Sequence, residues 1–434
     1  MFLYLIVCII LIGLTIFNWR RFRDVCYPGF LQAFIWTVIL IAFSFLGKLF
    51  DAVSLKLFLV LVLGLVAFSI GSIMSTLRHV PSRKVVDIHQ GTLPRPIVLW
   101  TFLLIPASIL PAYLARTLYL ANQGPSDSIL QNIRIFPAIS DITTEMTVGG
   151  VRYGILSYVQ PLSICLTVSF ILLFATRKYK SKTAIVITLT LSAAFSVLTL
   201  GGRTSLFLLL LSTLGIPLII RRLRPGIFFV VIIALGLIIF ATIGILVGKG
   251  GSLKQPFNEN ISGLGEQFLK YSFGPVVALD KLLNSKYEFE MGRHTLRFFL
   301  VVLQHLGFRT SPPQLVREYV LIPFPINVYT IYDPYYRDFG LLGILVIQFL
   351  LGMWHGALYK RATKPRASAT AVLIYVIFLY PLVFQFFQDQ YASLLSMWVQ
   401  YGLWIFLFTK FLRLRKPKKK KLVYILNAKA KNFD

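Results

Sequence analysis

Apolar runs long enough to cross a lipid bilayer recur along almost the whole chain of 434 residues. They lie at about 2–19, 29–47, 57–77, 97–115, 153–176, 183–200, 205–220, 227–248, 340–359, 368–387 and 393–412. A helix needs about 20 mostly apolar residues to span the hydrocarbon core, and its backbone must be satisfied internally. The pattern therefore predicts an all-α, polytopic bundle of about 11 transmembrane helices.

The charge of the chain supports the same fold class. The net charge is +28, which suits a nucleic-acid-binding protein, but a mean hydropathy of +0.75 excludes that class. An apolar content of 57% excludes a disordered basic protein. The connections 20–28, 78–96, 177–182, 221–226, 360–367 and 413–434 hold 27 of the 44 basic residues and three acids. The positive-inside rule places these connections in the cytoplasm, with the N-terminus outside and the C-terminus inside.

The chain divides into four parts on this reading. Residues 1–248 hold the first eight predicted spans, 249–339 form a large external loop, 340–412 hold the last three spans, and 413–434 form a basic cytoplasmic tail. A connection of that length is rarely passive. Within it, the polar side chains between 294 and 305 fall on one helical face, which predicts a helix at the membrane surface or inside the bundle. The basic tail is expected to contact membrane lipid.

Several kinds of chemistry have no matching motif. The sequence contains no Walker-type phosphate loop, no DxD pair and no HExxH motif. Its three cysteines show neither a CxxC pair nor the spacing of a zinc site. The sequence therefore predicts neither a metal nor another cofactor.

Arginines at the external side are candidates for anion binding. Two glycines precede Arg203, Thr204 and Ser205 between two predicted spans, and either hydroxyl residue can cap the following helix. Arg203 beside this positive helix end suits a phosphate, and an arginine reaching lipid headgroups is an equally weighted alternative. In the loop, further arginines suit a substrate with an acidic head group: Arg293, Arg297, Arg309, Arg317 and Arg337. The alternative, favoured for any single arginine, is pairing with a nearby carboxylate: Glu288, Glu290, Glu318, Asp333 or Asp338.

The stretch 327–343 enters the ninth predicted span with many aromatic and polar residues. Aromatic rings with amides and carboxylates suit sugars, whereas an interfacial aromatic belt is the common alternative. Asp338 is a candidate acid or base, or a helix cap. Asp389, in the polar turn between the last two spans, is another candidate, with a plain hairpin turn as the alternative. The candidate sugar-binding residues are Asn327, Tyr329, Tyr332 and Tyr336.

With these features the chain resembles the bacterial oligosaccharide repeat-unit polymerases of the Wzy type. The resemblance rests on the Gly-Gly-Arg-Thr-Ser turn at 201–205, the long external loop, and the Asn-x-Tyr-Thr…Asp-Phe-Gly-x-x-Gly run between 327 and 343. The span count and the basic tail are similar as well. The resemblance implies a metal-independent membrane glycosyltransferase of the class C kind, acting at the periplasmic face of the bacterial inner membrane.

The resemblance also implies substrates and partners. The substrate would be an oligosaccharide linked to undecaprenyl pyrophosphate, as in O-antigen or capsule synthesis, and the growing glycan would move onto a new lipid-linked unit. A chain-length regulator and a flippase are the implied partner proteins. An O-antigen ligase is the first alternative. A polysaccharide flippase or other transporter is the second, and charges confined to span ends disfavour it.

Roles for the candidate residues follow from the chemistry of that reaction. Negative charge on a leaving pyrophosphate needs stabilisation, for which we expect Arg203 first, then Arg293 and Arg297. The acceptor hydroxyl needs a base or an orienting acceptor. The candidates for that role, which the sequence does not rank, are His294, Asp338 and Asp389.

Overall fold

A computed structural model describes residues 2–50, 52–79, 81, 85–122, 132, 158–198, 203–221, 224–246, 256–314, 317–322 and 324–413. Its helices are α1 (Phe2–Phe22), α2 (Pro28–Leu46), α3 (Leu55–Ser75), α4 (Pro96–Asn122), α5 (Val159–Ala175), α6 (Lys182–Leu198), α7 (Arg203–Ile219), α8 (Pro225–Leu246), α9 (Phe257–Asn284), α10 (Arg297–His305), α11 (Tyr332–Ala362), α12 (Ala369–Ile377), α13 (Leu379–Val383) and α14 (Leu395–Phe406). The strands are β1 (Asp87–Ile88), β2 (Val320–Leu321), β3 (Pro325–Ile326) and β4 (Arg366–Ala367).

The described helices confirm the predicted fold class. Seven helical segments are long and apolar enough to cross a membrane: α1, α2, α3, α4, α8, α11, and a segment from Ala369 to Phe386 that includes α12 and α13. Three shorter apolar helices, α5, α6 and α7, coincide with predicted spans. The protein is therefore a multi-pass helical membrane protein, and the count of about 11 spans stays a prediction. The connection between the predicted spans 97–115 and 153–176 lies largely outside the described residues.

Connections predicted to be cytoplasmic meet at one end of the bundle. β1 pairs in parallel with β4, which joins the connection 78–96 to 360–367. Arg221, after α7, forms an ion pair with Asp24, after α1, and Nη1 lies 2.9 Å from Oδ1. The Tyr359 hydroxyl donates to the same carboxylate at 2.5 Å, and Arg95 Nε donates to the Arg413 carbonyl at 2.7 Å. The charge count predicted this grouping, and the side of the membrane stays a prediction.

Helices α3 and α11 lie in unusually close contact through glycines. A Cβ atom on Gly352 would lie 2.0 Å from the Phe68 carbonyl oxygen, and one on Gly71 would lie 2.0 Å from the Phe349 carbonyl oxygen. A Cβ on Gly356 would meet the Ser75 hydroxyl at the same distance. Small residues let helix backbones approach in this way. The Gly-x-x-x-Gly spacing at 352–356 thus lets the two helix backbones pack closely.

The large loop contains a longer helix than its sequence indicates. Its first half is α9, a 28-residue helix whose last turns are fixed to α3, because Asp280 accepts a hydrogen bond from the Ser54 backbone N–H at 3.1 Å. The predicted surface helix is present as α10, but it begins at Arg297, so His294 lies in the turns before it. Helix α11 begins at Tyr332, earlier than predicted, and Gly340 interrupts it with φ +64°. The predicted boundary at 340 therefore corresponds to a kink.

Candidate functional site

Loop segments converge on a polar cleft at the start of α11, at the end of the bundle opposite the paired connections. The cleft holds about 270 Å³ of non-atom space, including the solvent at its mouth. Its residues come from the loop before α11, the first turn of α11, and the turn between α13 and α14. They are Arg317, Asn327, Tyr329, Thr330, Asp333, Pro334, Gln388, Asp389 and Ser393.

A buried carboxylate between two arginines forms the floor of the site. Asp333 Oδ2 lies 2.9 Å from Arg317 Nε, and its Oδ1 accepts a hydrogen bond from Arg337 Nε at 2.6 Å. The Arg337 guanidinium also lies over the rings of Tyr287 and Tyr329, at 5.0 and 5.4 Å from their centroids. Because Arg317 is mostly shielded from solvent, its pair with Asp333 fixes the loop to the first turn of α11, while the Arg337 pair lies within that helix.

His294 is held between an arginine and a glutamate. Its Nδ1 lies within hydrogen-bonding distance of Arg317 Nη1, and its Nε2 lies 3.0 Å from Glu290 Oε1. A guanidinium only donates, so Nδ1 accepts and Nε2–H donates, which describes a neutral imidazole. Burial and then the nearby Arg317 charge lower the pKa of His294. His294 can therefore take a proton at Nδ1 only when Arg317 moves away from it.

Asp338 positions the turn that carries His294. Its fully buried carboxylate accepts from the backbone N–H of His294 at 3.0 Å and from that of Thr295 at 2.6 Å. The Met291 N–H also donates to the Asp338 carbonyl at 3.2 Å. The sequence also offered Asp338 as a helix cap. It does cap backbone N–H groups, but those of the turns that precede α10 and not those of its own helix. Its contacts indicate a positioning role.

Asp389 is likewise occupied by its own turn. Oδ1 accepts from the Tyr335 hydroxyl at 3.1 Å and from the Tyr391 N–H at 3.0 Å. Oδ2 accepts from the Ser393 N–H and hydroxyl at 2.8 and 2.9 Å. A carboxylate has about four acceptor positions, and all of them are used. Asp389 therefore shapes one wall of the cleft.

Two of the predicted anion-binding arginines, Arg293 and Arg297, lie beside the ion-pair cluster formed by Glu290, His294, Arg317 and Asp333. Arg297 Nε donates to the Pro313 carbonyl at 2.7 Å, and burial followed by the Arg317 charge lowers the pKa of Arg297. Arg293, about half exposed, pairs with Glu290 at 3.0 Å. Arg297 and Arg317 thus place two partly buried positive charges near each other, which a bound anion would stabilise.

Arg203 belongs to a different wall of the bundle. It begins α7, and its guanidinium carbon lies 4.2 Å from the ring centroid of Phe240 on α8. Phe240 in turn contacts the ring of Phe268 on α9, with centroids 5.8 Å apart. Glycines 201 and 202 lie outside the described residues. The structure therefore ties Arg203 to α8 and α9, while the ion-pair cluster is built by the later loop and α11.

The predicted sugar-binding residues separate into two pairs. Asn327 and Tyr329 line the cleft. Tyr332 is fully buried and stacks on Trp36 of α2, with ring centroids 5.7 Å apart. Tyr336 places its hydroxyl 3.4 Å from Lys56 Nζ, outside the cleft-lining set. Because α11 begins at 332, its first turn directs Tyr332 into the core, where it serves packing.

The site also contains two further loop arginines, Arg317 and Arg337, and two of the carboxylates that the sequence offers as their partners, Glu290 and Asp333. Tyr287, which contacts Glu290, was not singled out from the sequence. A helix that starts at 332 brings positions 333 and 337 together, because residues four apart are neighbours on a helix. The sequence predicted that this helix begins at 340, which left positions 333 and 337 in a loop, where a spacing of four residues does not indicate a contact. The pairing with residue 317 spans the loop and has no local signature.

The geometry defines a class of protein, a helical membrane protein with a polar cleft at one end and paired arginines at and beside that cleft. Within the described ranges, no group of three or more His, Cys, Asp or Glu side chains is arranged to hold a metal ion. Tyrosine, asparagine and glutamine side chains beside paired arginines can bind a polar ligand with an anionic part.

Comparison with known proteins found a relative in Escherichia coli (strain K12) that is named "Putative O-antigen polymerase". It is 26% identical over 173 residues, which is 40% of this chain. The match spans 43% of the relative's length, less than half of that protein. No family model matches the chain, and no solved structure matches it.

Proposed function

We propose that the protein polymerises oligosaccharide repeat units carried on undecaprenyl pyrophosphate, at the periplasmic face of the bacterial inner membrane. The name of the relative supports this role. The structural observation that carries the proposal is the proximity of two partly buried arginines, Arg297 and Arg317, the second of which lines the polar cleft. A lipid pyrophosphate supplies the anion that these charges favour, and a glycan supplies the polar groups.

The first proposed step uses the arginines. The pyrophosphate of the donor binds Arg297 and Arg317, with Arg293 at the exposed edge of the cluster. These guanidinium groups stabilise the charge that develops when the bond between the anomeric carbon and the pyrophosphate oxygen breaks. Arg203, which lies on another wall, is proposed to bind the carrier lipid of the second substrate or a headgroup beside it.

In the second proposed step, binding of the pyrophosphate draws Arg317 away from His294 and so lets the histidine act as a base. In the structure, Arg317 Nη1 contacts Nδ1 of His294. When Arg317 turns to a pyrophosphate oxygen, Nδ1 becomes free to accept the proton of the attacking hydroxyl. Asp338 holds the His294 backbone in place, and Asp389 holds the opposite wall. Among the three candidates for the base, this geometry favours His294.

The acceptor sugar is proposed to lie in the cleft. Tyr329 offers a ring and Asn327 an amide, and Gln388 lies on the opposite wall. A chain-length regulator and a flippase are proposed partners, because a polymerase of this kind needs a supply of units and a limit on length. No metal or other cofactor is part of the proposed reaction.

Deleting the gene in the source bacterium and resolving its lipopolysaccharide on a gel tests the proposal. A polymerase predicts that the ladder collapses to core plus one repeat unit. Bare core with polymer left on the carrier would indicate an O-antigen ligase instead, and bare core without external carrier-linked glycan would indicate a flippase. An unchanged ladder would contradict a role in O-antigen synthesis and direct the same assay to capsule polymer.

A further inference from the structure

Helix α10 presents an apolar stripe that no described part of the protein covers. Leu296, Phe299, Leu303 and Leu306 follow each other at spacings of three or four residues, so they share one side of the helix. Phe299 is 52% exposed and Leu306 is 69% exposed, and none of the nine residues of α10 is buried. An apolar stripe of this size next to polar loops marks a surface that another apolar phase covers.

The other side of α10 is fixed to the loop that follows it. Arg297 Nε donates to the Pro313 carbonyl at 2.7 Å, and the Thr310 hydroxyl donates to the Leu300 carbonyl at 2.9 Å. These bonds set the rotation of the helix. The exposed stripe therefore cannot turn inward without breaking them.

The stripe is continuous with the outer surface of a membrane-spanning helix. Gly292 lies between the two surfaces, since a Cβ built on it would be 3.2 Å from Leu296 Cδ1 and 3.4 Å from Phe339 Cζ. Phe339 and Leu342 are exposed on α11, at the end of a segment long and apolar enough to span. The apolar surface that faces lipid on α11 thus extends onto α10.

We propose that α10 lies in the outer leaflet of the bilayer, with the stripe from Leu296 to Leu306 among the upper acyl chains. Bilayer lipid is the occupant that this continuity favours, because a partner protein would have to leave the adjoining surface of α11 in lipid. Exposed Arg293 precedes the stripe in the chain, and a basic residue beside an apolar stripe is typical of helices that lie at a membrane interface. The depth of α10 does not depend on the proposed reaction. If α10 lies at this depth, Arg297 is held at the level of the carrier's pyrophosphate; this consequence rests on the proposed function.

Fluorescence quenching in lipid nanodiscs measures this depth directly. The full-length protein, with Cys8, Cys26 and Cys165 replaced by alanine, carries a single bimane label at L303C or at E288C. Glu288 is exposed on the same loop and serves as the matched control. Lipids with a doxyl group near the headgroup are expected to quench the label at position 303 several-fold more than the label at position 288. Equal quenching at the two positions would overturn the proposal, and so would crosslinking of α10 to a partner protein that excludes lipid.

A second experiment tests the functional consequence. The double variant L303D/L306D changes only exposed side chains, so it is expected to fold and to accumulate like the parent protein. Its turnover of a membrane-bound, lipid-linked unit is expected to fall about tenfold, while turnover of a water-soluble analogue with a short tail stays unchanged. Equal losses with both substrates would contradict the role of depth. A label quenched at position 303 in a protein with no polymerase activity would refute the proposed function and leave the membrane contact standing.

Discussion

Arg317 connects Asp333 and His294 through a single guanidinium group: its Nε lies 2.9 Å from Asp333 Oδ2, and its Nη1 faces Nδ1 of His294. The first contact anchors Arg317 to the start of α11. The second occupies the nitrogen that would accept a proton. One side chain thus links the ion pairs of the site to the protonation chemistry of its histidine.

Replacing Arg317 tests this link. We expect R317A to lower polymerisation about 100-fold or more, because it removes a charge proposed to stabilise the leaving pyrophosphate and leaves Asp333 with one partner fewer. R317K should recover only part of the activity, since an ammonium group cannot contact both residues in the same geometry. The measurement is polymer length and amount on a lipopolysaccharide gel, normalised to the protein level in membranes.

The matched control for that series is R309A. Arg309 is an exposed arginine of the same loop, and it lies outside the cleft-lining set. We expect its loss to leave the ladder near normal. Equal defects in R309A and R317A would contradict a specific role for the Arg317 contacts and indicate a general effect of loop charge.

The protonation of His294 predicts a pH dependence of stability. Burial and Arg317 lower its pKa in the folded protein, so between that lowered value and about 6.5 the unfolded state binds more protons. Stability should therefore fall as the pH drops below about 6.5. Thermal unfolding in detergent, measured between about pH 7.5 and 5.5, should show this slope, and H294Q should flatten it. An identical slope in H294Q would assign the effect to other groups.

The four hydrogen bonds to Asp389 predict an asymmetric result for two conservative changes. D389N replaces one acceptor oxygen by an NH₂ group that would face a backbone N–H donor, so we expect a loss of about 1–3 kcal/mol and of most activity. Y335F removes only one donor and should cost about 1 kcal/mol or less. Unfolding temperature and polymer yield are measured for both. A D389N protein as stable and active as Y335F would contradict the proposed support of the cleft wall.

The apolar runs predicted the bundle, and the charge count predicted the grouping of basic connections, because both depend on local composition. The same reasoning identified Asp338 and His294 as candidates without showing that they contact each other. Their bond joins residues 44 positions apart. Hydrogen bonds of that range depend on how the loop folds back, and a pattern in the sequence does not encode that path.

The packing of α3 against α11 gives a prediction about stability alone. G352A places a methyl group where the Phe68 carbonyl oxygen now lies, so the helices must separate, at a cost of about 1–3 kcal/mol. The control is G402A, because a Cβ on Gly402 of α14 would meet no atom within 4 Å. That variant should be neutral or slightly more stable, since alanine favours helix. Equal unfolding temperatures in detergent for the two variants would contradict the close contact.

The last prediction concerns two arginines in the left-handed backbone region at helix C-termini. Arg177 follows α5 with φ +58°, and Arg221 follows α7 with φ +64°. Glycine adopts such angles without strain, so R177G should change stability by no more than about 1 kcal/mol, as relief of strain offsets the lost charge at the helix end. R221G should instead lose about 3 kcal/mol or more, because it leaves the buried Asp24 carboxylate without its cation. Adding D24N to R221G should restore part of that loss. Similar unfolding temperatures for R177G and R221G would show that the Asp24 pair contributes little to the fold.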